Sequence, residues 1–322
     1  MSVRSSLTRG STLIAAGLAA ALALTACGSS ADPLASSSAA TSASAAASGS
    51  GSAATGGKIV IGSADFPESA LIANIYAEAL TAAGVEVGTN LNIGSREVYI
   101  KALQDGSIDL VPEYTGVLLQ YFDPTATAVS ADDVYAALQL KTPEGLTVLA
   151  KSAAEDKDAV VVTKATADAN NLKSIADLAP VASGFILGGP SEWETRPTGV
   201  PGLKEKYGLT FKEFKALDAG GPLTLNALTG DTIQAGNLFT TDPAIPANDL
   251  VVLEDPKNLF AAQNILPLIS SDRNTPEVEA ALNAVSAQLT TEILTELLTK
   301  VTVDKQDSAQ VAQEWVAANI PG

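Results

Sequence analysis

Five carboxylates, Glu68, Glu113, Glu192, Asp218 and Asp242, fall close to the ends of short apolar runs. Two such groups flanking a glycosidic bond can act as acid and base, so sugar hydrolysis is the first chemistry to weigh. Nothing in the sequence sets their separation, and no nucleophile elbow, P-loop or metal-ligand spacing accompanies them. The chain has no histidine and one cysteine, Cys27. That removes imidazole acid–base chemistry, Ser-His-Asp triads, the usual zinc sites and any disulfide within the chain. Most of the acids are better employed capping helices or orienting Arg96 and Arg196. No catalytic residue, metal or cofactor is expected.

Two further features point to binding. The turns Gly94-Ser95-Arg96 and Gly220-Gly221-Pro222 each precede a helical stretch whose free backbone N–H groups could receive carboxylate or phosphate oxygens. The glycines could equally serve the turns alone. Residues 188–199, GGPSEWETRPTG, hold one of only two tryptophans in a polar loop. An isolated ring there needs either a packing role, in core or lid, or a place in a ligand wall, and both remain open for Trp193.

The elements that would position these residues come in two copies. Residues 217–243, LDAGGPLTLNALTGDTIQAGNLFTTDP, repeat weakly the plan of residues 91–116, LNIGSREVYIKALQDGSIDLVPEYTG. Each runs from a Gly turn through an amphipathic helix and a polar turn to a short strand ending in an aromatic-Thr pair, Tyr114-Thr115 or Phe239-Thr240. One supersecondary unit used twice implies two similar lobes with a ligand between them.

The rest of the chain fits this plan. KIVIG at 58–62 reads as a strand, and Pro67-Glu68 opens a helix to residue 83 with Leu71, Ile75, Ala79 and Leu80 on one face. A second strand lies around 85–93, a helix at 97–104 and a strand at 108–111. Residues 131–140 read as a helix and 146–150 as a strand, after which 159–163 crosses into the second lobe. There strands at 185–187 and 214–217 alternate with helical segments at 174–178 and 203–207. Strands at 250–253 and 265–269 are expected to return the chain to the first lobe. Helices at 276–287, 292–301 and 309–318 close it, with Ser308 as cap of the last. Alternating strands and helices imply mainly parallel sheets, with the ligand beyond the carboxyl ends of the strands.

Length and composition agree: 322 residues, 46% hydrophobic, supply ample core. A net charge of −17 argues against nucleic acid. It serves solubility or steers cations toward a cleft. Residues 1–26 carry Arg4 and Arg9, an apolar run and small residues before Cys27, the pattern of a lipoprotein signal cleaved before a lipidated cysteine. The run is shorter than the roughly 20 apolar residues a membrane span needs. Residues 27–57, nearly all Ser, Ala, Gly and Thr, read as a flexible tether.

Six ordered blocks, GSADFPES, NIGSREV, IDLVPEYTG, GGPSEWETRPTGVPGL, LDAGGPLT and LFTTDPAI, resemble the substrate-binding lipoproteins of osmoprotectant ABC importers, the glycine betaine/choline/carnitine-binding (OpuAC/ProX-like) family. The resemblance implies an α/β, two-lobed periplasmic-binding-protein type II (Venus flytrap) fold. Lobe one would span 58–157 and 262–322, and lobe two 158–261. It implies a trimethylammonium head held among aromatic rings, with Tyr114 matching the cage tyrosine of the EYTG block. Family members carry tyrosine where this chain has Phe239, and near Ala153-Ala154 and Val200, while Ser69 stands where many have glutamine. Tyr121, Phe66 and Trp193 are candidate replacement faces.

The expected ligand contacts are Asp65, Phe66, Ser69, Arg96, Tyr114 and Thr115 from the first lobe, and Trp193, Arg196, Asp218, Phe239 and Thr240 from the second. The expected solute is a quaternary ammonium of the glycine betaine or choline type. A non-quaternary or aromatic solute, or a sensor role on the same fold, is the alternative. Expected partners are the small solute, an ABC permease with its ATPase, and the outer face of the bacterial cytoplasmic membrane through the lipid on Cys27. No nucleic acid is expected, and the chain is read as a monomer.

Overall fold

A computed structural model describes residues 57–320. The expected signal, the lipidated Cys27 and all but the last residue of the expected tether lie outside the described residues. Among the described residues, no helix is long and apolar enough to cross a membrane.

Ten strands form two five-stranded sheets. In chain order they are β1 (Ile59–Ala64), β2 (Val87–Gly94), β3 (Leu110–Tyr114), β4 (Leu146–Val148), β5 (Asp158–Thr163), β6 (Ile186–Pro190), β7 (Glu213–Leu217), β8 (Ala235–Phe239), β9 (Leu250–Val252) and β10 (Ile265–Ser270). The first sheet has the order β2-β1-β3-β10-β4 and the second β7-β6-β8-β5-β9. The two are the same topology twice. In each, four strands run in one direction and one strand, β10 or β5, is antiparallel to both its neighbours. The reversed strand is in each case the one that enters from the other lobe.

Helices cover the sheets: α1 (Pro67–Ala82), α2 (Arg96–Gln104), α3 (Thr115–Phe122) and α4 (Ala131–Lys141) come before the first crossing. α5 (Lys164–Asn170), α6 (Val200–Tyr207), α7 (Pro222–Thr229) and α8 (Ala244–Ala247) belong to the second lobe, and α9 (Pro276–Gln288), α10 (Thr291–Thr302) and α11 (Ser308–Asn319) follow the return. Pro67 stands at the first position of α1, where its fixed φ suits the helix and its missing N–H costs nothing. The sequence gives α1 one apolar face, yet Ile72, Tyr76 and Asn74 are buried along with Leu71, Ile75 and Leu80. The cause is its place between the first sheet and α9, α10 and α11.

Two local expectations are corrected, and one helix is added. The strand expected at 250–253 is β9 and pairs with β5 in the second sheet, Val161 opposite Val252, so only β10 belongs to the first lobe. The cap of α11 is Asp307, whose side chain accepts from Gln310 N, while the Ser308 hydroxyl accepts from Asn74 Nδ2 at 3.1 Å and ties α11 to α1. α5 was not foreseen, because its seven residues bury only Ala167 and show no apolar period; Thr163 caps it.

Two segments cross between the sheets, residues 149–157 and 253–264, and they are bonded to each other. Asp156 N donates to Gln263 O at 3.2 Å and Ile265 N to Ala154 O at 3.1 Å, with an antiparallel bridge between Glu155 and Asn264. Two paired crossings make a hinge on which the lobes can rotate.

Candidate functional site

The carboxyl ends of β1, β3, β6 and β8 point at one another across a cavity of about 360 Å³ lined from both lobes. Three of its lining rings stand together. Phe66 leads into α1, Tyr114 ends β3 and Phe239 ends β8. The Phe66 centroid lies 6.0 Å from that of Tyr114 and 5.0 Å from that of Phe239. The matched ends of the two repeat copies thus deliver one ring each, and Phe66 bridges them across the cleft. Tyr114 donates its hydroxyl to Glu68 Oε1 at 2.8 Å, which fixes the ring.

Both arginines line the cavity, and both are already engaged by glutamate. Arg96 Nε and Nη2 donate to Glu113 Oε1 and Oε2 at 2.7 and 2.8 Å, and the Tyr99 hydroxyl and Tyr114 N donate to the same carboxylate. Burial opposes the Arg96 charge, but Glu113 outweighs it and holds the guanidinium more firmly protonated. Arg196 Nε and Nη2 reach Glu97 Oε1 and Oε2 at 3.1 and 2.9 Å, and Arg196 lies 3.7 Å from Glu192. Partial burial disfavours the Glu97 carboxylate, yet Arg196, Ser95 and its own backbone N–H lower its pKa to about 2.

Of the expected contacts, Asp65, Phe66, Arg96, Tyr114, Trp193, Arg196, Asp218 and Phe239 line the cavity. Asp65 stands exposed at its rim. Asp218 is spent on α7: its carboxylate accepts from Leu223 N and Thr224 N at 2.9 and 2.8 Å. That N-terminus is therefore filled by the protein itself. Trp193 does both things the sequence left open. It is buried in the second-lobe core, stacked 6.2 Å from Phe260 with planes 9° apart, and it also lines the cavity.

Three expected contacts do not reach the cavity. The Ser69 hydroxyl accepts from Ala64 N at 2.9 Å and joins α1 to β1. Thr115 Oγ1 donates to Ala262 O and accepts from Asn264 N, both at 3.0 Å. Thr240 Oγ1 accepts from Lys157 N at 2.9 Å and donates to Asp156 Oδ1 at 3.2 Å. The threonines that follow the two cavity rings bind the crossing segments rather than a ligand. Tyr121 lines a neighbouring cavity of about 230 Å³, with Arg96 and Arg196 forming the shared wall. Ala154 is buried in the first core and Val200 packs on the second, so neither place supplies a ring.

The cavity also contains groups the sequence did not single out: Asp156 on the first crossing, Asp158 at the start of β5, Asn237 on β8 and Gln263 on the return. The only local signal is the acid-rich run EDKD directly before an apolar strand. Asp156 also accepts from Thr241 N at 3.0 Å, and Thr241 Oγ1 donates to Glu68 Oε2 at 2.5 Å. Burial raises the Glu68 and Asp156 carboxyls above their usual range, against the hydrogen bonds from Thr241; the Glu68 charge adds to the rise at Asp156, whereas Asp156 opposes the rise at Glu68. Bridged by Thr241 and shut off from solvent, both carboxyls hold protons more firmly than exposed ones do. Asp158 is raised chiefly by burial, opposed by the Asn237 amide.

Comparison with known proteins agrees with this geometry. Residues 57–318 match the family described as the substrate binding domain of ABC-type glycine betaine transport system. The chain belongs to that family, and so to the extracytoplasmic solute receptors of ABC importers. It is 26% identical over 272 residues to the glycine betaine-binding protein YehZ of Escherichia coli (strain K12), covering 80% of this chain and 89% of that protein. It is 26% identical over 270 residues to a glycine-betaine-binding protein of Pseudomonas aeruginosa, covering 80% and 86%. A crystal structure of a glycine betaine/carnitine/choline ABC transporter is 25% identical, with a TM-score of 0.63 over 81% of this chain and 98% of the other. The fold is the two-lobed periplasmic-binding-protein type II fold, each lobe a mainly parallel sheet flanked by helices.

Proposed function

We propose that the chain captures a small quaternary-ammonium osmoprotectant between its lobes and hands it to an ABC permease driven by its ATPase. The observation that carries this reading is the convergence of Phe66 and Tyr114 from one lobe with Phe239 from the other in an acid-lined cavity. A quaternary ammonium has no N–H to donate, so ring faces and nearby carboxylates are the groups that attract it. The relatives named for glycine betaine support the same choice.

The remaining parts of the reading follow from the sequence. Lobe one comprises 58–157 and 262–322, and lobe two 158–261. Cys27 carries the lipid that holds the monomeric receptor at the outer face of the cytoplasmic membrane, with 27–57 as tether. No catalytic step is involved: closure is favoured only by the solute's higher affinity for the closed form. Among the expected contacts, those lining the cavity are the ligand contacts. Isothermal titration with glycine betaine, choline, carnitine and proline betaine tests the reading. Micromolar binding of at least one is expected, and no heat with any of the four, from folded protein, refutes the ligand class.

A further inference from the structure

Glu68 and Asp156 are both buried where the lobes meet, and their partners divide between the lobes. Glu68 lies in the first turn of α1, which packs on the first sheet, and its Oε1 accepts from the Tyr114 hydroxyl at the end of β3, 2.8 Å away. Asp156 Oδ1 accepts from Thr240 Oγ1 at 3.2 Å and from Thr241 N at 3.0 Å, and both threonines follow β8 of the second sheet. Thr241 Oγ1 joins the two sets by donating to Glu68 Oε2 at 2.5 Å. Rotation about the paired crossings would break that contact. Glu68 would stay with Tyr114, and Asp156 with Thr240 and Thr241.

Opening would also wet Glu68. It lines a closed space of about 30 Å³ with Phe66, Leu298 and Thr302 on one side and Gly220, Phe239 and Thr241 on the other. Part of the cover over Glu68 therefore comes from the second lobe. Among the described residues no lysine or arginine pairs with either acid: Arg96 is held by Glu113, Arg196 by Glu97, and Lys157 by Glu155 at 3.2 Å. The charges that act on the couple are acidic, Asp242 on Glu68 and Asp158 on Asp156. Helix α10 brings only the uncharged Leu298 and Thr302, and Asp65, ahead of α1, is exposed. Two carboxyls closed into a dry place without a cation keep protons that water would take from them. Burial accordingly raises both above their ordinary values.

We propose that closing the lobes takes up a proton at the Glu68–Asp156 couple, so that the receptor closes more readily in acid and opens as the medium turns alkaline. In the open form Glu68 meets water and releases its proton near the ordinary carboxylate value. In the closed form it releases it higher. Between those two values closing is disfavoured as pH rises, by up to about ten-fold per pH unit for one proton. The device belongs to the protein alone and is independent of which solute it takes.

Small-angle scattering of the unliganded full chain tests it without a solute. The only charged side chains in residues 1–57 are Arg4, Arg9 and Asp32, none of which titrates between about pH 5 and pH 8. The measurement is made in about 0.5 M salt, which screens general repulsion among the surface acids. Between about pH 5 and pH 8 the ratio of closed to open form should fall at least about three-fold, and the radius of gyration should rise. Glu68→Gln and, independently, Asp156→Asn put a neutral amide in the couple and should each reduce that rise to less than about half. The wild-type comparison stands even if neither variant folds. A wild-type radius that does not change with pH overturns the proposal, and so does a rise that is as large in the folded variants as in the wild type.

Discussion

Arg196 of the second lobe grips Glu97 of the first with two hydrogen bonds, 3.1 and 2.9 Å long, in the wall of the neighbouring cavity. Phe66 and Phe239 meet 5.0 Å apart, and Thr241 reaches Glu68. The lobes are thus closed on each other at three places, by an ion pair, a ring contact and a buried hydrogen bond. Each contact exists only when the lobes are together, so each biases the open–closed equilibrium on which affinity depends.

The ion pair makes a measurable contribution. Both partners are partly exposed, so the pair is worth about 0.5–1 kcal/mol. Arg196→Leu and Glu97→Gln should each weaken solute binding roughly two- to five-fold. In a double-mutant cycle the second substitution should add little to the first. Small-angle scattering of the unliganded variants should show a larger radius of gyration than the wild type if the pair favours closure. Full additivity, with no change in dimensions, would show that the pair does nothing for closure.

The Glu68–Asp156 pair makes the fold pH-dependent with a definite sign. Their native carboxyls bind protons more tightly than in the unfolded chain, where they titrate near pH 4. The native state therefore holds more protons above that pH. The stabilisation is fully present below the unfolded values and is lost as pH rises through the raised native ones. Asp156→Asn keeps an oxygen for Thr241 N and an amide for Glu68, imitating the protonated acid. Thermal melts should show the variant gaining on the wild type as pH rises from 5 to 8, by about 2–4 °C or more. A difference that does not change with pH would refute the raised carboxyls.

Loop 188–199 owes its shape to its last glycine. A Cβ at Gly199 would stand 1.8 Å from the Trp193 carbonyl oxygen, a backbone atom with nowhere to go. Gly199→Ala should cost about 2–3 kcal/mol in denaturant unfolding and displace Trp193 from the cavity. Gly184, whose added Cβ would meet nothing within 4 Å, is the control. Gly184→Ala should stay within about 0.5 kcal/mol of wild type.

The ring and the hydroxyl of Tyr114 have separable roles. Tyr114→Phe keeps the ring face and should bind a quaternary ammonium within about three-fold of wild type. It leaves Glu68 with fewer donors, so its cost should appear in stability, at about 1–2 kcal/mol. Tyr114→Leu and Phe239→Leu keep bulk but lose the π face, and should each cost binding about 0.5–2 kcal/mol. Equal binding by the Leu and Phe variants would remove Tyr114 from the cation site.

What could be read from the sequence, and what could not, divides by range. The strand-turn-helix punctuation at Gly62, Pro67 and Gly94 is local, and so is the repeat that places Tyr114 and Phe239 at equivalent strand ends. The roles of Thr115 and Thr240 are not local. Their sequence position suggested the cavity, but their hydroxyls are taken by a crossing segment 149 residues away and one 83 residues away. The same holds for Asp156, which is only part of a charged run until Thr241 and Glu68 are folded against it. Arg96 was legible as a cavity residue because its helix starts at the cleft. That its charge is neutralised by Glu113, 17 residues on, required the pairing of β3 with its neighbours. Helix α1 was half legible: its apolar period was clear, but burial on every side depends on α9–α11, more than 190 residues later.

The most direct test is the crystal structure of the chain grown with choline. The account requires the trimethylammonium head within about 6 Å of the Phe66, Tyr114 and Phe239 centroids, with the Arg196–Glu97 pair formed. A solute seated elsewhere, or a head group resting on Arg96 or Arg196 and away from the three rings, would contradict it.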